Sequence, residues 1–378
     1  MSGPPAAMAV LIEPAPYMVR LLDELRAQWA GPVDGWFIGA SVTQGWSGAQ
    51  EGQGYGILPR SQAAALGALW REMRRTQPAI VFVAGWSHPL IVAAILMARL
   101  SGARVVSMSD TWTSASSGLR ALSRRRLLRL VHRFTPAGRR QARYLRAQGV
   151  PADRIFPANM TSDTAGIRAA LAGAAPNRRQ RLRAEMGVAD HDPVFLFVGR
   201  LEPVKGPDLL LAAFTALPGT QDARLVVVGD GTMRDQVIAA AALDPRILFR
   251  GRLEGEALWE QFAAADILVV PSRSEAWGLV VNEALAAGLG VIVHDCCGCI
   301  DDLVIAGETG TVVPTGDAAA LRQSLLDLCR DPARIATFKR NGAALIATWT
   351  TQAWAANILA AWRDALGASP ARRDATCA

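Results

Sequence analysis

Short runs of apolar, β-branched residues alternate with Ala-, Leu- and Arg-rich segments of helical period along most of this chain. That rhythm leaves few folds open. A strand that is apolar on both faces must be covered on both faces, and the helices that follow each strand supply the cover. Strands are predicted at 8–14 (MAVLIEP), 35–41 (GWFIGAS), 79–85 (AIVFVAG) and 103–110 (ARVVSMSD), with helices at 17–30, 61–76 and 89–102. Strand–helix alternation of this kind predicts an α/β fold with a mostly parallel sheet.

Between about 156 and 190 the rhythm stalls in a small, polar, Pro-containing stretch that reads as a linker. It then restarts, with strands at 193–201, 223–231, 246–253, 266–272 and 290–296, helices at 207–217, 256–265 and 279–288, and a long amphipathic helix at 350–367. A chain of 378 residues that is 51% apolar suits two cores better than one. The expected domains are 1–165 and 166–349, with 350–378 as a helix crossing back to the first domain and a tail. Two such sheets place a cleft between the carboxyl ends of their strands.

Charge is uneven. Residues 1–165 hold 19 Arg or Lys against 9 Asp or Glu, and 166–378 hold 21 against 24. The excess in the first half suggests contact with an anionic surface. Lysine occurs only at 205 and 339, so each lysine is worth inspecting. The start (MSGPPAAMAVLIEP) lacks a charged segment leading into an apolar run. The apolar stretch 79–100 is broken by Gly85 and His88-Pro89 and reads as a buried strand and helix. Five cysteines, three of them crowded, do not form a disulfide framework. The expected location is the cytosol.

Two constellations carry chemistry. In VVPSRSEAWGLVVNEALAAG (269–288), a strand ends at Pro271 and a helix begins near Leu279. Glu275 lies in the loop and Glu283 in the helix. Free amides at the helix start suit a phosphate, and Gly278 lets a ligand approach the backbone. Two carboxylates facing the cleft can accept hydrogen bonds from sugar hydroxyls; an ordinary strand–helix turn with a solvated Glu pair is the other reading. In FVGRLEPVKGPDLLL (197–211), Arg200 and Lys205 sit between a strand and a helix. Fixed cations there can neutralise a diphosphate leaving group, or simply be surface charges.

These residues, followed by VVGDG (227–231), FRGRL (249–253) and AGETGTVV (306–313), resemble the GT-B glycosyltransferases of family 4, retaining enzymes with a Glu-x7-Glu motif. The resemblance is strong over about 190–345 and weaker over 1–165. It implies two Rossmann-like domains, the first binding the acceptor and the second a nucleotide-diphosphate sugar. It implies catalytic roles for Arg200, Lys205 and Glu275. Donor contacts would come from Gly199, Gly229, Arg252, Leu253, Ala276, Trp277, Gly278, Leu279, Val280 and Glu283. No metal and no cofactor beyond the donor substrate is implied.

The N-terminal half departs from the family pattern. LIEPAPYMVRLL stands where related enzymes often have a Gly-rich loop. His88 and Asp110, at strand ends, are the acceptor-side candidates; a loop His and a capping Asp are the alternatives. Residues 120–146 hold ten Arg and no acid, interleaved with leucines, and read as a basic amphipathic helix for an anionic membrane. No nucleic-acid recognition module is apparent.

The stretch HDCCGC holds His294, Cys296, Cys297 and Cys299. Four ligands so close together can hardly surround one tetrahedral ion without a second knuckle, so these are expected to be small packing residues beneath the donor site, with a metal site and a regulated thiol pair as the other readings. Cys329 and Cys377 are distant. Gly290, where the family often has Pro, suggests a looser strand entry.

The expected function is transfer of a sugar to a glycan or lipid-linked acceptor in bacterial cell-surface polysaccharide or glycolipid synthesis. A non-catalytic sugar-nucleotide-binding partner and a sugar-nucleotide epimerase of the same architecture are the alternatives.

Overall fold

The computed structural model describes residues 4–40, 54–113, 118–172, 177–189, 191–219 and 222–367. Residue 41 of the second predicted strand, residues 173–176 and 190 of the predicted linker, the side chain of Arg120, and Cys377 lie outside them. The chain divides into two compact units. One runs to Met160 and resumes at Thr351, and the other is Thr161–Thr350.

The first unit contains β1 (Ala7–Leu11), α1 (Pro16–Gln28), β2 (Val33–Phe37), β3 (Tyr55–Ile57), α2 (Gln62–Thr76), β4 (Ile80–Ala84), α3 (Pro89–Leu100), β5 (Arg104–Ser109), α4 (Gly118–Leu128), β6 (Arg133–Pro136) and α5 (Arg139–Ala147). Its sheet is parallel, in the order β3-β2-β1-β4-β5-β6. β1 and β4 are buried almost throughout because helices cover both faces.

The second unit contains α6 (Thr164–Ala172), α7 (Arg178–Glu185), β7 (Val194–Val198), α8 (Pro207–Thr215), β8 (Arg224–Val228), α9 (Arg234–Leu243), β9 (Ile247–Gly251), α10 (Gly255–Ala264), β10 (Ile267–Val270), α11 (Leu279–Ala286), β11 (Gly290–His294), β12 (Gly310–Val313), α12 (Ala318–Arg330) and α13 (Pro332–Ile346). Its parallel sheet has the order β12-β11-β10-β7-β8-β9. The last helix, α14 (Thr351–Ala365), packs on α1, β5 and β6 of the first unit. Trp354 and Trp362 are buried there, and Trp362 meets Trp29 edge-on at 5.4 Å. Burying each of these indoles contributes about 2–3 kcal/mol. Among the described residues, no helix is long and apolar enough to cross a membrane.

Three expectations need correction. The linker stretch contains α6 and α7, and both belong to the second unit. Their polar appearance misleads because α7 buries Arg178 and Arg183 as well as Leu182. Arg183 donates to an oxygen of Asp266 at 3.0 Å, and Arg179 and Lys339 also bond Asp266, at 2.6 and 3.0 Å. The basic stretch 120–146 is helix, strand and helix rather than one helix. Val131, Phe134 and Thr135 are buried, and β6 pairs with β5 in register Val106–Arg133 to Ser109–Pro136. Sheet pairing overrides the helical spacing of its arginines. The strand entry at Gly290 is tight, not loose: a Cβ there would lie 2.7 Å from both Ile267 Cδ1 and Phe338 Cβ, because α13 fills the space.

Candidate functional site

The strand order of the second sheet reverses between β10 and β7. Loops leaving the carboxyl ends of such a pair diverge, and open α/β sheets bind ligands there. Lys205 ends a short 3-10 turn after β7, and Glu275 sits on the loop after β10. Lys205 Nζ donates to Glu275 Oε2 at 2.5 Å, and Ser272 Oγ donates to the same oxygen at 3.3 Å. The pair remains partly open to solvent.

A second strap joins the same loops. Arg273 grips both oxygens of Asp208 at 2.8 and 2.6 Å and the carbonyl of Pro203 at 2.6 Å. Its own N–H donates to the Val204 carbonyl at 2.8 Å. The guanidinium holds the Asp208 carboxyl below its usual range. Such forked pairing fixes geometry as well as charge. The turn that carries Lys205 is thereby tied to the loop that carries Glu275.

α11 starts at Leu279 after Gly278, whose φ of +98° is open to glycine at little cost. No side chain caps this end, so the first-turn amides and the positive end of the helix dipole face outward. Beneath Gly278 lies Cys297, whose Sγ would be 2.8 Å from any added Cβ. Cys297 Sγ is 3.5 Å from Cys299 Sγ, and both side chains are fully buried. Burial pushes the Cys299 thiol well above its ordinary range. His294 Nδ1 and Cys296 Sγ turn elsewhere, both to the Ser272 carbonyl, at 3.0 and 2.9 Å. The four side chains thus address two different places. Glu283, one turn into α11, is part-buried, and desolvation raises its pKa to about 7.

The neighbouring strand ends are bare backbone. Gly199 follows β7 and Gly229 follows β8, and a Cβ on Gly229 would sit 1.9 Å from the Gly199 carbonyl. Gly229 N–H bonds Gly251 at 2.8 Å, which extends the ladder beyond the strands. Several expected residues are placed less directly. Arg200 is exposed and is not drawn into the Lys205–Glu275 pair. Arg252 pairs with Glu254 at 2.7 Å, and Leu253 is half-buried. Ala276 is exposed, and Leu279 and Val280 are half-buried.

Trp277 lies in the same loop, and its side chain turns inward. Its indole is buried, donates to Asn282 Oδ1 at 2.9 Å and stacks on Trp349 at 5.9 Å. Its carbonyl accepts from Cys299 N–H at 3.1 Å.

In the first unit, His88 and Asp110 follow β4 and β5, adjacent strands of that sheet. His88 is the N-cap of α3, its Nδ1 accepting from Leu90 N–H at 3.2 Å. Asp110 is exposed. Burial, Asp110 and Glu13 together raise the Tyr17 pKa to about 12, which groups these residues at the carboxyl edge of β1 and β5.

Sequence reasoning missed Ser272, the Arg273–Asp208 strap, the Trp277–Trp349 stack and the Glu202–Thr232 pair, in which Thr232 Oγ1 donates to Glu202 Oε2 at 2.7 Å. Only Ser272, three residues before Glu275, carried a local signal.

Two parallel sheets of Rossmann order define the GT-B class of α/β proteins. Residues 178–344 match the family model of glycosyl transferases group 1, so the second unit carries a domain of that kind. The chain is 31% identical over 283 residues to the D-inositol 3-phosphate glycosyltransferase of Nocardia farcinica, covering 71% of this chain and 59% of that one. It spans about half the length of the curated relatives it matches. Among solved structures, Anabaena HepE in complex with UDP superposes with a TM-score of 0.77 at 16% identity, covering 95% of this chain and 100% of that one. Sucrose-phosphate synthase from Thermosynechococcus elongatus superposes with a TM-score of 0.74 at 20% identity, covering 96% and 100%.

Proposed function

We propose that this chain is a retaining glycosyltransferase. It moves a sugar from a nucleotide-diphosphate sugar to a glycan or lipid-linked acceptor, in bacterial cell-surface polysaccharide or glycolipid synthesis. The observation that carries this reading is the Lys205–Glu275 pair, 2.5 Å apart at the switch point of the second sheet, beside the uncapped start of α11. The glycosyltransferase relatives support it, as do the HepE complexes with UDP and with UDP-glucose.

The donor diphosphate lies against the α11 amides and Lys205, with Arg200 as a second cation. Glu275 holds the Lys205 ammonium in position before the donor arrives, and preorganised charge of this kind stabilises a leaving group without reorganisation. Glu283 accepts from the ribose hydroxyls, and Gly199 and Gly229 let the nucleoside approach the backbone. The bond from the anomeric carbon to the diphosphate breaks, and its electron pair goes to the phosphate oxygen. The acceptor hydroxyl bonds to the same face of that carbon, and its proton passes to the departing phosphate. The positive charge needed comes from side chains and the helix end, so chelation of divalent metals leaves the rate unchanged. His88 and Asp110 orient the acceptor. The arginines of 120–146 bring the chain to the anionic inner face of the plasma membrane.

The test is a panel of uridine, guanosine and adenosine diphosphate sugars, followed by thermal shift and by release of nucleoside diphosphate. Stabilisation with release supports transfer. Stabilisation without release in the presence of acceptor extracts points to the non-catalytic partner. Conversion of the sugar without loss of the nucleotide points to the epimerase.

A further inference from the structure

At the amino edge of the first sheet, away from the strand ends discussed above, a cavity of about 270 Å³ opens beside the C-terminal ends of α4 and α5. Its walls carry Arg125, Arg129, Arg146 and Arg154 over a floor that includes Leu128 and Val150, and no acid lines it. We propose that this cavity is a binding site for a phosphate ester.

Cations at a helix C-terminus are ordinary, since they face the negative end of the helix dipole. Here that demand is already met. Arg154 donates to the Leu128, Val131 and His132 carbonyls, so it satisfies the end of α4. At the end of α5, the N–H groups of Gln148, Gly149 and Val150 take the last carbonyls. Neighbouring arginines have local partners too. Arg99 and Arg104 both address His132 Nε2, and Arg133 is paired with Asp364. Burial, together with this crowd of cations, lowers the His132 pKa to about 4, so the ring adds no charge.

Arg125, Arg129 and Arg146 are different. Among the described residues none of their side chains has a hydrogen bond or ion pair. Other arginines of the chain are paired, as at Arg26–Asp23, Arg75–Glu72, Arg246–Asp244 and Arg273–Asp208; what sets these three apart from exposed arginines such as Arg126 is that they line one cavity. Three exposed guanidinium groups and Arg154 therefore border one concave space, where an entering anion meets all four. Guanidinium forks match phosphate oxygens in geometry and charge. The volume falls just below the usual range for drug-sized ligands, about 300–1,000 Å³, and suits a phosphate ester rather than a whole nucleotide sugar. Leu96 and Leu100 are exposed on α3, whose Arg99 joins the same network. The ester can thus come from a soluble metabolite or from a lipid headgroup.

Calorimetric titration of the full chain with glycerol phosphate at constant ionic strength tests the site. The Lys205→Ala chain serves as background, so that phosphate binding at the donor site does not contribute. The variant Arg129→Gln/Arg146→Gln is expected to bind about a hundredfold more weakly, because two charge-assisted contacts are lost, and each single variant about tenfold more weakly. The control Arg60→Gln/Arg71→Gln removes the same charge from an exposed helix and its approach, and binds as the parent does. Equal binding by parent and pocket variant, or equal loss in the control, overturns the site. Flotation with phosphatidylcholine vesicles, with and without phosphatidylglycerol, then names the source. Pocket-dependent flotation competed by glycerol phosphate assigns a lipid headgroup, and soluble binding without flotation assigns a free phosphate ester.

Discussion

The arginines of α7 and those of α4 and α5 look alike in sequence and behave in opposite ways. In the second unit, Arg183 is completely buried and, with Arg179 and Lys339, surrounds the single carboxylate of Asp266. These cations hold α7 and α13 to the start of β10. In the first unit, Arg125, Arg129 and Arg146 stand around a cavity with no carboxylate beside them. The difference is the partner. A cation that meets a buried acid belongs to the architecture, and cations gathered around one cavity without an acid are open to an anion. The loops after β7 and β10 lie between these extremes, because Lys205 is paired yet still partly exposed.

The largest effect is expected at that intermediate case. Lys205→Ala should lower transfer about a hundred- to a thousandfold, the scale of losing one preorganised charge at a leaving group. Far-ultraviolet circular dichroism should not change. Turnover equal to the parent contradicts the leaving-group role.

Next comes the buried cluster. Asp266→Ala leaves three cations facing each other without their acid, and removing one partner of a buried pair costs about 3–5 kcal/mol. Urea unfolding followed by tryptophan fluorescence should show an earlier first transition. An unmoved transition removes the architectural half of the comparison.

Glu283 gives a smaller, pH-dependent effect. Its folded pKa is raised from 4.5 to about 7. The folded state therefore binds the extra proton, and the Glu283 contribution to stability falls as pH rises from about 4.5 to about 7. Donor affinity moves the other way if the ionised carboxylate binds the ribose. The ionised fraction rises about tenfold between about pH 6 and about pH 8, and affinity should rise with it. Glu283→Gln should flatten that profile, and a slope unchanged in the variant assigns the pH dependence to another group.

The smallest effect is expected for Arg129→Gln/Arg146→Gln. Neither side chain has a partner among the described residues, so stability should stay within about 0.5 kcal/mol of the parent. A larger loss means that these arginines are structural after all.

The sequence made the strand ends legible. Hydrophobic runs ending at Val198 and Val270 placed Lys205 and Glu275 at adjacent carboxyl edges, and Gly278 before an apolar helix gave the uncapped start of α11. What stayed hidden depends on residues far apart in the chain. Arg183 reads as surface until Asp266, 83 positions away, is brought beneath it. Gly290 reads as loose until Phe338 fills its side. The inward turn of the Trp277 indole is invisible until Trp349, 72 positions away, stacks on it. β6 was masked by the arginines on either side of it, because the helical spacing of charge says nothing about the buried Phe134 and Thr135 that pair it with β5. The cysteine-rich stretch was readable in outline. Small side chains do pack beneath Gly278, but the split between the Ser272 carbonyl and the space under α11 needed three dimensions.

The central claim is that Lys205, held by Glu275 beside the start of α11, receives the diphosphate of a nucleotide donor. Calorimetric binding of uridine and guanosine diphosphate to the parent and to Lys205→Ala, at fixed ionic strength, addresses it most directly. The account predicts at least about a tenfold loss of affinity in the variant for whichever nucleotide binds the parent, the size expected for one charge-assisted contact, with an unchanged melting temperature. Equal affinities in the two proteins contradict it.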